Sequence, residues 1–229
     1  MEEKKDNNFS VDTDELKNET KETVNQVKDT IKNVKIKEDS VATKNFVVEM
    51  FKTPCEKIKE IVGDTAGNFL KYAIIMIVVY LLSETIDTFI TVANLGSWAK
   101  FGYKFKLIIS AILLPLLRIL IPAVMILILN KKNKKPLTTM ICAVTASRIP
   151  VIISSLVYLL DRVKIKYISY VTSPIGTVCT ALSAVLLFFV VKYAFEEKED
   201  SETLKKFAII QLVTAGLISV VNLVFNIIF

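Results

Sequence analysis

Residues 69–93 read FLKYAIIMIVVYLLSETIDTFITVA, an apolar run interrupted by one lysine and two acids. A membrane-spanning helix needs about 20 mostly apolar residues to cross about 30 Å of hydrocarbon, so this run is long enough to span. Four comparable runs follow, at about 105–129, 137–160, 168–191 and 207–229. We therefore predict an all-α, polytopic transmembrane helical bundle of five spans that occupies residues 69–229.

The charge of the chain is divided unevenly between the two sides of residue 68. Residues 1–68 hold 12 Lys and 15 Asp/Glu, a net charge of −3, whereas residues 69–229 hold 17 Lys/Arg and 8 Asp/Glu, a net charge of +9. Basic residues beside membrane spans indicate topology and headgroup contacts rather than nucleic-acid binding. We expect the lipid bilayer as the partner, together with other membrane proteins or self-association, and neither nucleic acid nor nucleotide.

The region before the first span contains no apolar stretch of signal-peptide length, so the first span is expected to act as an uncleaved insertion signal. Residues 1–44 are polar and carry a short stripe of valine and isoleucine at helical spacing. Two interpretations stay open for this tail: a mobile or weakly helical segment, or a docked helix or oligomerisation segment.

Residues 45–68 form a second amino-terminal segment, in which apolar side chains alternate with lysines and Pro54 marks a break. We predict an amphipathic helix over most of this segment. It either lies in the membrane interface, with its lysines towards the headgroups, or packs on the cytoplasmic ends of the bundle.

Positive charges between the predicted spans favour one orientation of the bundle. Eleven Lys residues fall on the amino-terminal side of the membrane, and six Lys or Arg residues fall on the other side. The densest cluster, NKKNKKP at 130–136, lies in a short loop, where the positive-inside rule is most reliable. We expect the amino terminus in the cytoplasm and the carboxy terminus outside. The aromatic segment 95–104 (LGSWAKFGYK) is an alternative re-entrant or interfacial piece.

Four ionisable residues lie inside the predicted spans: Glu84 and Asp87 in the first, Arg118 in the second and Arg148 in the third. A charge at the bilayer centre costs at least about 2.5–3.5 kcal/mol and usually finds a partner. Their depths and their zero net charge predict an ion-paired cluster that links spans one to three. The cluster is either a structural clamp or a substrate, proton or lipid-headgroup site.

Proline and small residues surround these charges. Pro115 and Pro122 flank Arg118 and Pro150 follows Arg148, so each arginine is close to backbone carbonyls that proline frees. Span four is rich in Ser, Thr, Gly and Ala between residues 173 and 184, which favours close helix packing.

Several chemistries have no support in the sequence. The chain contains no histidine, which removes the usual zinc and haem ligands and the Ser/His and Cys/His nucleophile pairs. Neither GxGxxG nor GxxxxGK[ST] occurs, so nucleotide binding is not indicated. The three cysteines are widely spaced and predict no disulfide framework. We therefore predict no catalytic, cofactor-binding or metal-binding residues, no cofactor, and a protein that is not an enzyme.

Two segments carry a resemblance to a known family. Phe51–Val62 (FKTPCEKIKEIV) resembles the F-x-x-P segment that precedes span one in bacterial members of the Yip domain family, the Ypt/Rab-interacting five-span membrane proteins. Ala146–Leu160 (ASRIPVIISSLVYLL) resembles the third span of that family. The resemblance covers roughly residues 46–229 and implies the five-span fold with a cytosolic amino terminus.

The functional implication of the resemblance is narrower. Eukaryotic members are similar to trafficking adaptors that contact small GTPases, whereas the lysine-rich, histidine-free composition here is typical of a low-GC bacterium. We therefore expect a bacterial-type member in the cytoplasmic membrane, and no functional residue is carried over from the family.

Three functional hypotheses follow from the residues. The first is a non-enzymatic membrane scaffold or adaptor whose charge cluster is sealed by packing. The second is a small-molecule, ion or lipid transporter or channel, in which a polar cavity reaches the cluster. The third is an intramembrane acid/base enzyme with one carboxylate unpaired and reachable by solvent.

Overall fold

The computed structural model describes residues 13–96, 100–130, 135–163 and 168–229, and within them the chain is helical without a β-strand. In chain order the helices are α1 (Thr13–Asn33), α2 (Ile36–Lys52), α3 (Pro54–Gly63), α4 (Leu70–Asn94), α5 (Phe101–Leu129), α6 (Leu137–Tyr158), α7 (Ser169–Phe195) and α8 (Asp200–Ile228), and a 3₁₀ helix at Leu159–Val163 extends α6. The all-α prediction is confirmed.

Four of these helices, α4, α5, α7 and α8, are long and apolar enough to cross a membrane. The bent helix α6 adds a fifth span if its two halves are counted together. The described residues therefore hold four to five candidate spans, as expected for a membrane protein. The exact number of five spans stays a prediction, as does the orientation of the termini.

Helix α6 lies at the centre of the bundle and packs against α3, α4, α5 and α7. Its buried positions are rich in alanine, serine and threonine, and these small side chains allow neighbouring helices to approach closely. Helix α8 packs on the outside of α5 and α7. The long helices around α6 turn much of their apolar surface outwards, as expected for helices that face lipid.

A bend of 48° interrupts α6 between its segments Leu137–Ser147 and Ile149–Arg162. Pro150 accounts for the bend, because it has no N–H for the carbonyl of Ala146 and its ring crowds that carbonyl. Ser183 of α7 donates a hydrogen bond of 2.7 Å to the neighbouring carbonyl of Ser147. A helix from another part of the bundle thus gives the disturbed backbone a partner.

Pro54 separates α2 from α3, since the residue before a proline avoids the helical region and proline fits the first turn of a helix. On α3, Ile58, Ile61 and Val62 are almost completely buried against α6 and α7. The amphipathic segment was expected either to lie in the membrane interface or to pack on the bundle. In the structure, its helix α3 packs on the bundle.

The described part of the tail is also helical and docked. Helix α1 packs against α4 and α6. Asp39 of α2 accepts hydrogen bonds from Lys71 Nζ of α4 (3.0 Å) and from the backbone N–H of Lys35 (2.8 Å). The hydrogen bond from Lys71 and the one from Lys35 hold the pKa of the Asp39 carboxyl below its usual value of 3.8. The described part of the tail is therefore docked in this structure; residues 1–12 lie outside the described part, and the choice between a mobile tail and a docked or oligomerisation segment stays a prediction.

The ends of the spans differ from the sequence boundaries by a few residues. Helix α5 begins at Phe101, so part of the segment 95–104 belongs to the second span, while residues 97–99 lie outside the described residues. Helix α7 ends at Phe195 and helix α8 begins at Asp200. The connection between them is therefore shorter than the segment 192–206 that the sequence indicated.

Candidate functional site

The four predicted site residues lie on three helices, but the structure does not join them into one ion-paired cluster. Glu84 and Asp87 lie on α4, Arg118 lies on α5, and Arg148 lies at the bend of α6. Within the described residues, no ion pair links either arginine to either acid at 4.0 Å or less. The predicted cluster is therefore wrong as an ion-paired unit.

Asp87 was expected to pair with Arg118 or Arg148, but in the structure its partner is Arg162. Arg162 Nε and Nη2 donate to the two carboxylate oxygens of Asp87 at 2.6 and 2.9 Å, and Nη2 also donates to Thr91 Oγ1 at 2.9 Å. The bidentate geometry is the preferred one for an arginine–carboxylate pair. Because α4 and α6 end on the same side of the bundle, Asp87 reaches the 3₁₀ helix instead of the midplane arginines.

Glu84 and Arg118 are left without a direct ionic contact. Arg118 Nη1 donates a long hydrogen bond of 3.4 Å to the Tyr80 hydroxyl oxygen. The charges of Arg118 and Glu84 influence each other, so they are near neighbours. Both side chains are half-buried near the middle of their helices.

Arg148 is held at the bend of α6, where its Nε is buried and has no hydrogen-bond partner among the described residues. Among the ionisable groups, Tyr80 and Arg118 are close enough to interact with it electrostatically. Leaving a buried donor unsatisfied costs about 1–3 kcal/mol, and more when the group is charged. The protein thus keeps an incompletely satisfied guanidinium inside the bundle, beside Arg118.

A cavity of about 600 Å³ is lined by Glu84 and Arg118 but not by Arg148, and we call it the polar groove. Four helices form it. Its lining includes Tyr80 and Glu84 of α4, Arg118 of α5, Ser155 and Tyr158 of α6, and Gly176, Thr177 and Thr180 of α7. Cavities of this size are large enough for a small polar ligand or a lipid headgroup.

A second cavity of about 340 Å³ adjoins the polar groove, and Glu84, Ser155 and Tyr158 line both. The Asp87–Arg162 pair lies on its wall. Between the two, Ser155 Oγ and Ser83 Oγ are hydrogen-bonded at 2.7 Å. A polar lining therefore runs from the charged end of the bundle to Glu84 and Arg118.

The polar groove lies between α5 and α7. Each of these helices packs against α6 and against α8, but they have almost no direct contact with each other. Helix α6 forms the floor of the gap between them. Because Arg118 lies well inside the long apolar helix α5, the groove lies at membrane depth.

Tyr158 and Gly176 shape the wall of the groove. A Cβ atom at position 176 would lie 2.1 Å from the Tyr158 hydroxyl oxygen, so only glycine leaves room for this ring. The small residues of span four therefore serve two purposes. Gly176 does pack closely against a neighbour, whereas Thr177 and Thr180 line the groove, with their hydroxyls donating to the helix backbone.

Sequence reasoning did not single out Tyr80, Ser155, Tyr158 or Arg162. Tyr80 lies one helical turn before Glu84 on the same face, and this spacing was a usable signal. The position of Arg162 at the carboxy-terminal end of the third span was a second usable signal. Ser155 and Tyr158 have no such signal, because serines and tyrosines are common in membrane helices for packing reasons.

The described residues contain no group of three or more Cys, Asp or Glu side chains that is placed to hold a metal ion. Comparison with known proteins gives no match among family models, curated proteins or solved structures. The resemblance to the Yip domain family thus rests on the two segments quoted above and stays a prediction.

Proposed function

We propose that this integral membrane protein is non-enzymatic and works as a transporter, channel or lipid-moving protein that admits a polar or ionic group into the polar groove. The observation that carries the proposal is the groove itself, in which Glu84 and Arg118 line an open cavity without a direct salt bridge. A scaffold with a sealed core would hold the same charges in direct pairs.

The energetic argument points the same way. Charges that serve only to fix helix register gain most from contact, because an unpaired charge near the bilayer centre is expensive. Intramembrane charges that face a cavity mark substrate or ion pathways in membrane proteins. The polar lining that continues towards Asp87 and Arg162 supplies a route from one end of the bundle.

Thiol labelling of Ser155→Cys tests the proposal in intact membranes, on a background in which Cys55, Cys142 and Cys179 are alanine. Ser155 lines both cavities, and cysteine is the thiol residue closest to serine in size and shape. We expect rapid reaction with a membrane-impermeant, water-soluble thiol reagent, since the thiolate forms only where water reaches.

Leu156→Cys is the matched control. Leu156 is the next residue of α6, it is 43% exposed on the outside of the helix, and it does not line the groove. A thiol in the hydrocarbon region should not react with the same reagent. If Ser155→Cys is inserted in the membrane but stays unlabelled like Leu156→Cys, the groove is closed to water and the proposal fails.

A scaffold or adaptor role for the amino-terminal helices is the second candidate function. Val41, Val48 and Phe51 of α2 are 60%, 42% and 49% exposed, and their spacing places them near one face of the helix. Basic side chains beside such a face favour contact with a membrane surface.

An environment-sensitive fluorophore on Val48→Cys, compared with one on exposed Glu56→Cys, tests this role. Vesicles that contain anionic lipid should shift the emission of the first to the blue and leave the second unchanged. Equal spectra at both positions would exclude the docking face.

A further inference from the structure

The charge in and beside the polar groove does not balance. Asp87 and Arg162 neutralise each other through a bidentate pair. This leaves Glu84, Arg118 and Arg148, whose charges sum to +1 and which interact electrostatically but are not paired. A net positive charge at this depth requires a counter-charge, because the bilayer cannot supply one.

The hydrogen-bonding capacity of the arginines is also unfilled. A guanidinium has five N–H donors in a planar fork and accepts no hydrogen bonds. Among the described residues, Arg118 has one long bond, to Tyr80, and Arg148 Nε has no partner. Planar forks of this kind match the oxygens of a phosphate or carboxylate in a bidentate way.

We propose that the polar groove binds an anionic group of one net negative charge, a phosphodiester or a carboxylate, at Arg118, which lines the groove, while Arg148, which lies beside it outside the lining, adds positive charge at longer range. This inference rests on the proposed function, since it names the class of substrate for the same groove. Glu84 selects against a dianion, because a second negative charge beside its carboxylate would be repelled. A monoanion brings the three side chains and the ligand to neutrality.

Two sources of the anion fit the position of the groove. The groove lies between α5 and α7 at the depth of the apolar helix α5, where the anion would be a lipid headgroup. Arg118 would equally hold the anionic part of a water-soluble molecule that enters through the second cavity, from the end of the bundle where Asp87 and Arg162 lie. The shared chemistry is the monoanion, and the source is decided by experiment.

The test measures the apparent unfolding temperature of the purified full-length chain in a non-ionic detergent, where a ligand that binds the folded state raises it. One arm adds phosphatidylglycerol, with the matched diacylglycerol as the uncharged control. The other arm adds glycerophosphoglycerol, the same headgroup without chains, and acetate as a carboxylate.

We expect phosphatidylglycerol to raise the unfolding temperature and diacylglycerol to leave it unchanged. A rise with the soluble anions as well would mean that the headgroup alone suffices, and a rise with phosphatidylglycerol alone would assign the lipid. No rise with any of the anions would overturn the inference, even if Ser155→Cys is labelled and the proposed function stands.

Three variants assign the effect to the groove. Arg118→Gln should weaken anion binding at least about tenfold, as expected for the loss of a charge-assisted hydrogen bond. Glu84→Gln should strengthen it, because it raises the net charge of the groove to +2. Lys205→Gln, which removes an exposed positive charge on α8, is the control and should bind as wild type does.

Arg118→Gln and Glu84→Gln are expected to change anion binding in opposite directions, which distinguishes an effect on binding from a folding defect. If Arg118→Gln does not fold, Glu84→Gln still decides, since a variant that merely damaged the groove would weaken binding. Weaker or unchanged binding in Glu84→Gln, or an equal loss in Lys205→Gln, would contradict the assignment to the groove.

Discussion

Replacing Gly176 with alanine tests whether Tyr158 forms the wall of the groove as the structure has it. The new Cβ would lie 2.1 Å from the tyrosine hydroxyl oxygen and 2.8 Å from two ring carbons, so the ring must move. Overpacking of this kind costs about 1–3 kcal/mol, while alanine gains about 0.5–1 kcal/mol over glycine in a helix interior. We expect the free energy of unfolding to fall by up to about 2.5 kcal/mol.

Two further variants separate the steric cost from the gain in helix propensity. Gly216 of α8 has no heavy atom within 4 Å of a built Cβ, so Gly216→Ala should show only the gain. Tyr158→Ala removes the obstructing ring. In that background Gly176→Ala should stabilise the protein as Gly216→Ala does, which gives a coupling energy of about 1–3 kcal/mol between positions 158 and 176.

The assay is the apparent unfolding midpoint in detergent, where about 1 kcal/mol corresponds to about 2–4 °C for a chain of this size. Labelling of Ser155→Cys supplies a second measurement, because a displaced Tyr158 ring should let the reagent reach the groove faster. If Gly176→Ala raises the midpoint of the otherwise wild-type protein as much as Gly216→Ala does, the ring does not lie against α7 and the described wall is wrong.

Three other perturbations have defined outcomes. Asp87→Asn and Arg162→Gln should each lower the unfolding free energy by about 0.2–1 kcal/mol, since the pair is about one-third exposed; a double-mutant cycle that gives no coupling would contradict the pair. Thr139→Val should cost about 1 kcal/mol, because it removes the 2.6 Å hydrogen bond to the Asp64 carbonyl, and an unchanged unfolding midpoint would exclude that bond. The folded-state pKa of Asp39 is lowered, so the stabilisation from its ionised carboxylate is complete above pH 3.8 and is lost as the pH falls through the folded-state pKa. Amide exchange in α2 of the wild type should therefore accelerate as the pH falls through that pKa. An equal pH dependence in Asp39→Asn would exclude this carboxyl as the cause.

The spans were predictable because each is a long, continuous run of apolar residues that can be read directly from the sequence. A run such as 69–93 cannot be stable in water as a surface helix, and its length alone matches the bilayer. The bend in α6 was partly predictable from Pro150. The docking of α1 and α3 was not, because their apolar stripes are short and fit a lipid interface as well as a protein surface.

Of the four residues that the sequence predicts for the site, Glu84 and Arg118 line the groove, and the predicted pairing is wrong. Depth along each helix predicts Glu84, Arg118 and Arg148 at a similar level. Depth does not give the rotation of each helix about its axis, which decides whether two side chains touch. Asp87 turns towards Arg162 for this reason, and no spacing in the sequence reports the gap between α5 and α7 that makes the groove.

The unpaired charges are themselves an argument about what the groove is for. A buried pair is often no more stable than an apolar replacement of the same volume, and a separated pair is worse because each ion keeps its full desolvation cost. Glu84 and Arg118 line one cavity and influence each other's charge without meeting, while Arg148 Nε is buried and has no hydrogen-bond partner in the described part of the chain. Apolar side chains at these three positions would stabilise the bundle. Holding charges apart in an open groove lowers stability and leaves them available to a third group, which is the arrangement that a binding site requires.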